Sequence, residues 1–232
     1  MRVIIAIQAR LGSSRLPNKA MVDIWGVPLI SRMIQRLREV KGADGVIVAC
    51  PIKDAPAFKK LGLRVISGPE QDVLTRIMNV VEETEATKIV KVGADCPFVP
   101  FDLIDLAIQV SKDKGIVQNT VPRTYPDGFD FEVWDAVMLS SLDKVLGGDQ
   151  REWFTSWALE HCESVPIKAG GDFSRFRLTV DYPEDLEVAR ALYTDMGKEQ
   201  WGFSRILEWC IQNPEIMKKN AHRVTDFGAR PK

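Results

Sequence analysis

The chain has 232 residues, of which 45% are hydrophobic and 27% charged, and its 31 Lys plus Arg against 32 Asp plus Glu leave a formal net charge of −1. That is enough apolar material for one substantial core, and the even charge balance argues against a nucleic-acid partner. The longest apolar runs fall far short of the roughly 18 residues of a membrane span, the 4 cysteines are scattered without a C-x-x-C pair, and the 2 histidines lie far apart, so a membrane anchor, a disulfide or zinc framework and a histidine metal site are all disfavoured.

The first strand-like run, residues 2–7, is too short for a secretory h-region and has no small-residue cleavage site, so a cytoplasmic setting is expected. Residues 45–49, 63–66 and 88–92 are similar Val- and Ile-rich runs, and their continuous apolar character predicts buried parallel strands. Between them, 28–40, 54–61 and 71–83 read as helices. In the first, Leu29, Ile30, Met33, Ile34 and Leu37 recur at helical spacing, with Pro28 at its start. This alternation predicts an α/β fold, a Rossmann-like, mostly parallel sheet with helices on both faces.

Residues 101–111 continue as a helix and 116–119 as a strand. After Thr120 the pattern changes: 121–128 is rich in turn formers, 129–134 alternates, 163–167 is strand-like and 169–172 is a loop. Residues 121–171 are therefore expected to be a β-rich insertion or sheet extension. Residues 176–180 return to strand, 183–193 to helix, and Phe203, Ile206, Leu207, Cys210 and Ile211 form one face of a last helix. A single domain over 1–213 is expected, with 214–232 a polar and partly disordered tail.

The segment between the first strand and Lys19 carries the clearest chemistry. Ala9-Arg10-Leu11-Gly12-Ser13-Ser14-Arg15-Leu16-Pro17-Asn18-Lys19 follows a strand end, where ligands bind in open α/β sheets. Its small residues admit backbone N–H groups to phosphate oxygens, and Arg10, Arg15 and Lys19 offset a triphosphate's charge. It matches neither the P-loop nor the dinucleotide fingerprint. The alternative is a polar loop whose cations face solvent.

Asp95 follows the strand at 88–92 and Asp181 the one at 176–180. Each has a plainer reading, Asp95 as a turn residue and Asp181 as a helix N-cap partnered by Glu184. Arg123, Tyr125, Asp127, Asp130 and Glu132 form a charged cluster, which a tight turn at Asp127-Gly128 and an outward-facing Glu132 would also explain. Asp72 and Arg76, one helical turn apart, suit an exposed ion pair.

The order of these segments resembles the CMP-sugar synthetase superfamily of cytidylyltransferases, in its branch typified by spore coat polysaccharide biosynthesis proteins. The resemblance rests on Ala9-Arg10-x-Gly12-Ser13-x-Arg15-Leu16-Pro17-x-Lys19, Gly68 to Leu74, Gly93-Ala94-Asp95-Cys96-Pro97, Arg123 to Val133 and Thr179 to Leu186. It implies a GT-A-like fold, CTP as substrate, Mg²⁺ as cofactor and a small-molecule acceptor, a sugar or sugar-like acid, phosphonate or phosphate.

By the same resemblance, Ala9, Arg10, Gly12, Ser13, Arg15, Lys19, Asp72 and Asp95 bind nucleotide, and Asp95 and Asp181 hold the metal. Arg15 and Lys19 stabilise charge, Asp130 orients or deprotonates the acceptor hydroxyl, and the 121–171 section forms a homodimer interface. Arg151-Glu152-Trp153 departs from the family, where a His is expected at 153, and this unsettles the acceptor's identity. A glycosyltransferase using a nucleotide-sugar donor and a non-catalytic nucleotide sensor are the rival readings, and fold alone does not separate them.

Overall fold

Val3–Gln8 (β1) shows why the first strand is apolar throughout: its side chains alternate between two cores. Val3, Ile5 and Ile7 enter one cluster and Ile4 and Ala6 another, so neither face of the strand meets water. The computed structural model describes residues 1–13, 15–197 and 199–223.

After β1 come a small hairpin, Asp23–Ile24 (β2) and Val27–Pro28 (β3), and the helix Leu29–Leu37 (α1). Gly45–Pro51 (β4), helix Ala55–Lys60 (α2), Val65–Gly68 (β5), helix Val73–Thr84 (α3) and Lys88–Gly93 (β6) complete the alternating half. The chain continues through helix Phe101–Val110 (α4), Ile116–Gln118 (β7), Phe131–Asp135 (β8), helices Ala136–Val145 (α5) and Phe154–His161 (α6), and Val165–Pro166 (β9). Helices Pro183–Met196 (α7), Phe203–Gln212 (α8) and Pro214–Met217 (α9) close it.

The main sheet has the order β5-β4-β1-β6-β8-β7-β9. β4 and β6 flank β1 in parallel, and β8 runs antiparallel to both β6 and β7. The fold is thus the expected Rossmann-like, mostly parallel sheet with helices on both faces. Leu29 and Met33 of α1, Ile104 of α4, Leu192 of α7 and Ile206 of α8 pack in the first core. Leu74 and Ile77 of α3, Leu139 of α5 and Phe154 of α6 fill the second, around Trp134. Each such fully buried side chain contributes about 1.5–3 kcal/mol.

Three expectations change. Residues 121–171 are not β-rich: β8 sits inside the main sheet, and α5 and α6 follow it. Asp135 caps α5 by accepting from the Val137 N–H at 2.8 Å, and Leu139 and Leu142 form its buried face. Residues 176–180 are extended without joining the sheet as a strand. They bond to loops instead, bridging Asp127 and Arg177, because the sheet's neighbouring positions are already paired.

The third change concerns the start of the polar tail. Met217 of α9 is buried, and Asn220, fully buried, donates from Nδ2 to the Arg177 carbonyl at 3.1 Å and to Asp185 Oδ1 at 2.9 Å. The chain therefore packs past 214 because Asn220 completes a buried ion-pair network. The rest of the expected tail, 224–232, lies outside the described residues.

Candidate active site

The loop after β1 is held at both ends. Ala9 N–H donates to the Ala49 carbonyl at 3.1 Å, and Leu11 N–H to Oδ2 of buried Asp54 at 2.9 Å. The loop closes on itself where Asn18 N–H meets the Leu11 carbonyl at 3.3 Å. Asn18 adopts the left-handed conformation there (φ 54°), which Asn tolerates well, and a single 3₁₀ turn then starts at Lys19.

That turn aims Lys19 inward. Its Nζ donates to Asp95 Oδ2 at 3.0 Å and to Asp181 Oδ1 at 2.7 Å, and Arg15 reaches Asp181 Oδ2 at 3.0 Å. Burial alone would lower the Lys19 pKa, but the two carboxylates outweigh it and hold it above the usual lysine value. Burial likewise pushes Asp95 upward, and Lys19 more than cancels this, so Asp95 titrates below the usual aspartate value.

Asp95 and Asp181 converge although their segments are not neighbouring strands. The Val180 N–H and the Thr179 hydroxyl both donate to the Asp95 carbonyl, at 2.8 and 3.0 Å. Asp181 is also released from the N-cap role its sequence suggested. Tyr182 occupies the N-cap of α7, and Asp185, not Glu184, accepts from the Asp181 and Tyr182 N–H groups, each at 2.9 Å.

Behind them, buried Arg177 pairs with Asp127 at 2.8 Å and bidentately with Asp185 at 2.9 and 3.0 Å. Gly128 makes the close approach between these segments. At φ +99°, its Cα lies where any Cβ would fall 2.2 Å from the Thr179 nitrogen.

A cleft of about 710 Å³ gathers Ala9, Arg10, Ser13, Arg15 and Lys19 from the loop with Asp95, Asp130 and Asp181 opposite. Gly12 and Asp72 do not line it. Gly12 sits where a Cβ would meet nothing within 4 Å. Asp72 caps α3 by accepting from the Thr75 N–H at 2.8 Å, and its partner is Arg151 at 2.7 Å, not Arg76. Arg76 turns inward and donates to the Pro69 and Glu70 carbonyls at 2.5 and 2.6 Å. Arg151 is further tied to Asp143 at 2.6 Å.

Asp130 is gripped by Arg123 through two bonds of 2.6 and 2.7 Å. Glu132 faces inward, 3.1 Å from Lys91, rather than outward. Trp153 lines the cleft at the N-cap of α6.

Arg177, Asp185, Lys91 and Asp54 were not singled out in the sequence. Lys91 carried a signal, a lysine between apolar residues in mid-strand, and Arg177, Asp181 and Asp185 recur at four-residue spacing. Among the described residues no cluster of three or more metal-ligating side chains occurs, and no helix is long and apolar enough to cross a membrane.

A cationic loop at the carboxyl ends of β1 and β6, facing two converging carboxylates, defines a nucleotide-handling α/β protein. The comparisons specify the class. Residues 4–126 match the family model described as Cytidylyltransferase. The chain is 30% identical over 230 residues to the spore coat polysaccharide biosynthesis protein SpsF of Bacillus subtilis, covering 92% of this chain and 95% of that one. A solved cytidylyltransferase from Leptospira borgpetersenii superposes with a TM-score of 0.88 at 25% identity, covering 97% of this chain and 99% of that one. The CMP:2-keto-3-deoxy-manno-octonic acid synthetase complexed with CTP shares the fold, with a TM-score of 0.64 at 20% identity over 84% of this chain and 99% of that one.

The chain belongs to the cytidylyltransferase family and is a CTP-dependent nucleotidyltransferase.

Proposed function

We propose that the protein transfers CMP from CTP to a hydroxyl of a sugar or sugar-like acid, releasing pyrophosphate. The observation that supports this most directly is the Lys19 ammonium held between Asp95 and Asp181 at the mouth of the phosphate loop. Two hard carboxylate oxygens already converge on one cation there. This donor set suits Mg²⁺, which takes one or two carboxylates and completes its shell with phosphate oxygens and water. Asp95 and Asp181 would hold the ion, which when bound offsets triphosphate charge and favours pyrophosphate departure.

The chain's own groups supply the rest. Arg10, Arg15 and Lys19, with backbone N–H groups of the loop, bind and orient the triphosphate. The acceptor oxygen forms its bond to the α-phosphorus as the bond to the pyrophosphate oxygen breaks, and the hydroxyl proton passes to Asp130. Both Asp130 oxygens accept from Arg123, yet an ionised carboxylate offers about four lone-pair positions, so it retains room for the acceptor hydroxyl. Positioning and electrostatics carry most of the acceleration. Cys96 is no nucleophile, because burial and then Asp95 push its thiol pKa well above the usual value.

Pyrophosphate release from each of the four ribonucleoside triphosphates with Mg²⁺, across a panel of acceptors, tests the reading. Release with CTP that Asp95→Asn reduces by about 10²–10³ supports it. Release that is unchanged in Asp95→Asn overturns the assignment. A cytoplasmic homodimer through 121–171 completes the proposal, and a monomeric mass by light scattering would remove that part.

A further inference from the structure

Away from the cleft, α1 brings three arginines together without a carboxylate partner. Arg32 donates to the Ile24 and Trp25 carbonyls at 3.2 and 2.8 Å and to Gln35 Oε1 at 3.5 Å. The Arg38 side chain forms no hydrogen bond or ion pair among the described residues. Arg36 is 1% exposed, yet its acceptors are all neutral: Met196 Sδ at 3.5 Å, Gln200 Oε1 at 3.3 Å, and the Phe98 and Trp201 carbonyls at 3.4 and 3.0 Å. Its Nε has no partner at all among the described residues. Burial pulls the Arg36 guanidinium below the usual arginine pKa, and Tyr193 and Asp102 offset this only in part.

These residues border a pocket of about 360 Å³, and none of its lining residues is shared with the cleft. Arg32, Gln35 and Arg38 reach it from α1, Tyr193 and Met196 from the end of α7, and Gln200 from the segment that follows. Arg36 stands directly behind Met196 and Gln200. The volume lies in the range of small-molecule sites, about 300–1,000 Å³.

The arginines have a plainer use, since the C-terminal ends of α1 and α7 meet here and each carries about half a negative charge. With Glu39, the one acid among the described lining residues, the two ends offset about two of the three cations. About one positive charge is left over, and part of it is buried, where lack of counter-charge is costly. An oxyanion seated between Arg32 and Arg38 would supply that counter-charge. The guanidinium fork suits phosphate and carboxylate alike.

We propose that this pocket is a second ligand site, for a small metabolite that carries one phosphate or carboxylate group on a hydroxylated body. Arg32 and Arg38 grip the oxyanion with Arg36 behind them, the Gln35 and Gln200 amides take hydroxyl groups, and Tyr193 and Met196 pack against the body. The site lies outside the cytidylyl-transfer reading and does not depend on it.

NMR of isotope-labelled methionine methyls in the full chain tests it, because Met196 lines the pocket and Met196→Leu assigns its signal. The probes share one skeleton: glucose 6-phosphate, glucuronate and glucose. The better of the two anions should bind at least about tenfold more tightly than glucose, and which one leads identifies the group as phosphate ester or carboxylic acid. Arg38→Ser removes a side chain that holds nothing else in place. It should weaken the leading anion about threefold or more and leave glucose unchanged, with a melting temperature like that of the wild type.

Saturating CTP with Mg²⁺ should leave the Met196 response in place, because the cleft lies elsewhere. A leading anion that gains less than tenfold over glucose, an Arg38→Ser protein that binds it as the wild type does, or a response that CTP with Mg²⁺ abolishes would each overturn the proposal. The transferase reading stands or falls separately, on pyrophosphate release.

Discussion

The juncture between Gly128 and Thr179 joins the Asp127–Asp130 side of the cleft to the Asp95–Asp181 pair, and Gly128→Ala probes it directly. The new Cβ would fall 2.2 Å from the Thr179 nitrogen and 2.4 Å from the Leu178 carbonyl carbon, against ordinary contacts of about 3.5–4.0 Å. Both neighbours are backbone, and Leu178 N–H is bonded to the Asp127 carbonyl at 2.6 Å, so no rotamer change relieves the clash.

A non-glycine residue at φ +99° costs about 1–3 kcal/mol, and overpacking about 1–3 kcal/mol more. The sum of about 2–6 kcal/mol corresponds to a fall in melting temperature of roughly 5–20 °C for a chain of this size. Thermal unfolding by circular dichroism measures it, with Gly12→Ala as the matched control. Gly12 has no positive φ and nothing within 4 Å of a new Cβ, so its melting temperature should stay within about 2 °C of wild type. A Gly128→Ala protein that also melts within about 2 °C would falsify the claim that this approach is rigid.

Other perturbations test separate parts of the structure. Arg177→Met leaves Asp185, 1% exposed, and Asp127 without their shared cation, and should lower stability by about 3–5 kcal/mol in urea unfolding; an unchanged midpoint refutes the buried-network account. Asp72 is subject to burial, which raises its pKa, but the Thr75 N–H, Arg151 and the Thr75 hydroxyl together hold it below 3.8. Its contribution to stability is therefore complete above the unfolded pKa and is lost as pH falls through the lower folded one, so Asp72→Asn should flatten that part of the acid-unfolding curve. A curve parallel to wild type there would disprove the assignment. Native-state thiol titration at pH 8 should modify Cys162 alone. Burial pushes Cys50 up to about 11 and Cys210 to about 12 and holds Cys96 well above the usual thiol, whereas Cys162 is half-buried. Rapid reaction of a second thiol would show that one of the cores opens.

Local chemistry made much of the first half legible. β1, β4 and β6 are apolar runs because both faces of the sheet are covered, and α1 shows its buried stripe of Leu29, Ile30, Met33, Ile34 and Leu37 at helical spacing. The loop after β1 stood out in the sequence through its cations among small residues. Residues 121–180 were harder to read because their conformation is decided by distant partners. The extended segment ending at Asp181 has a strand's composition, yet its hydrogen bonds go to Asp95 and Asp127, far away in sequence. The helix α5 was obscured by its neighbours, since β8 ends at the residue that caps it.

The charged residues show the same division between local and distant causes. Their pairings followed the topology rather than their spacing in the sequence. Asp72 and Arg76 stand one turn apart and would be expected to meet, yet Arg76 is drawn under the Pro69–Glu70 turn and Asp72 is claimed by Arg151. Glu132 and Lys91 are separated in sequence and become partners only because β8 inserts antiparallel beside β6. That insertion also fixes the charge pairing along β6. It places a carboxylate opposite each lysine of β6, Asp135 against Lys88 at 3.2 Å and Glu132 against Lys91 at 3.1 Å.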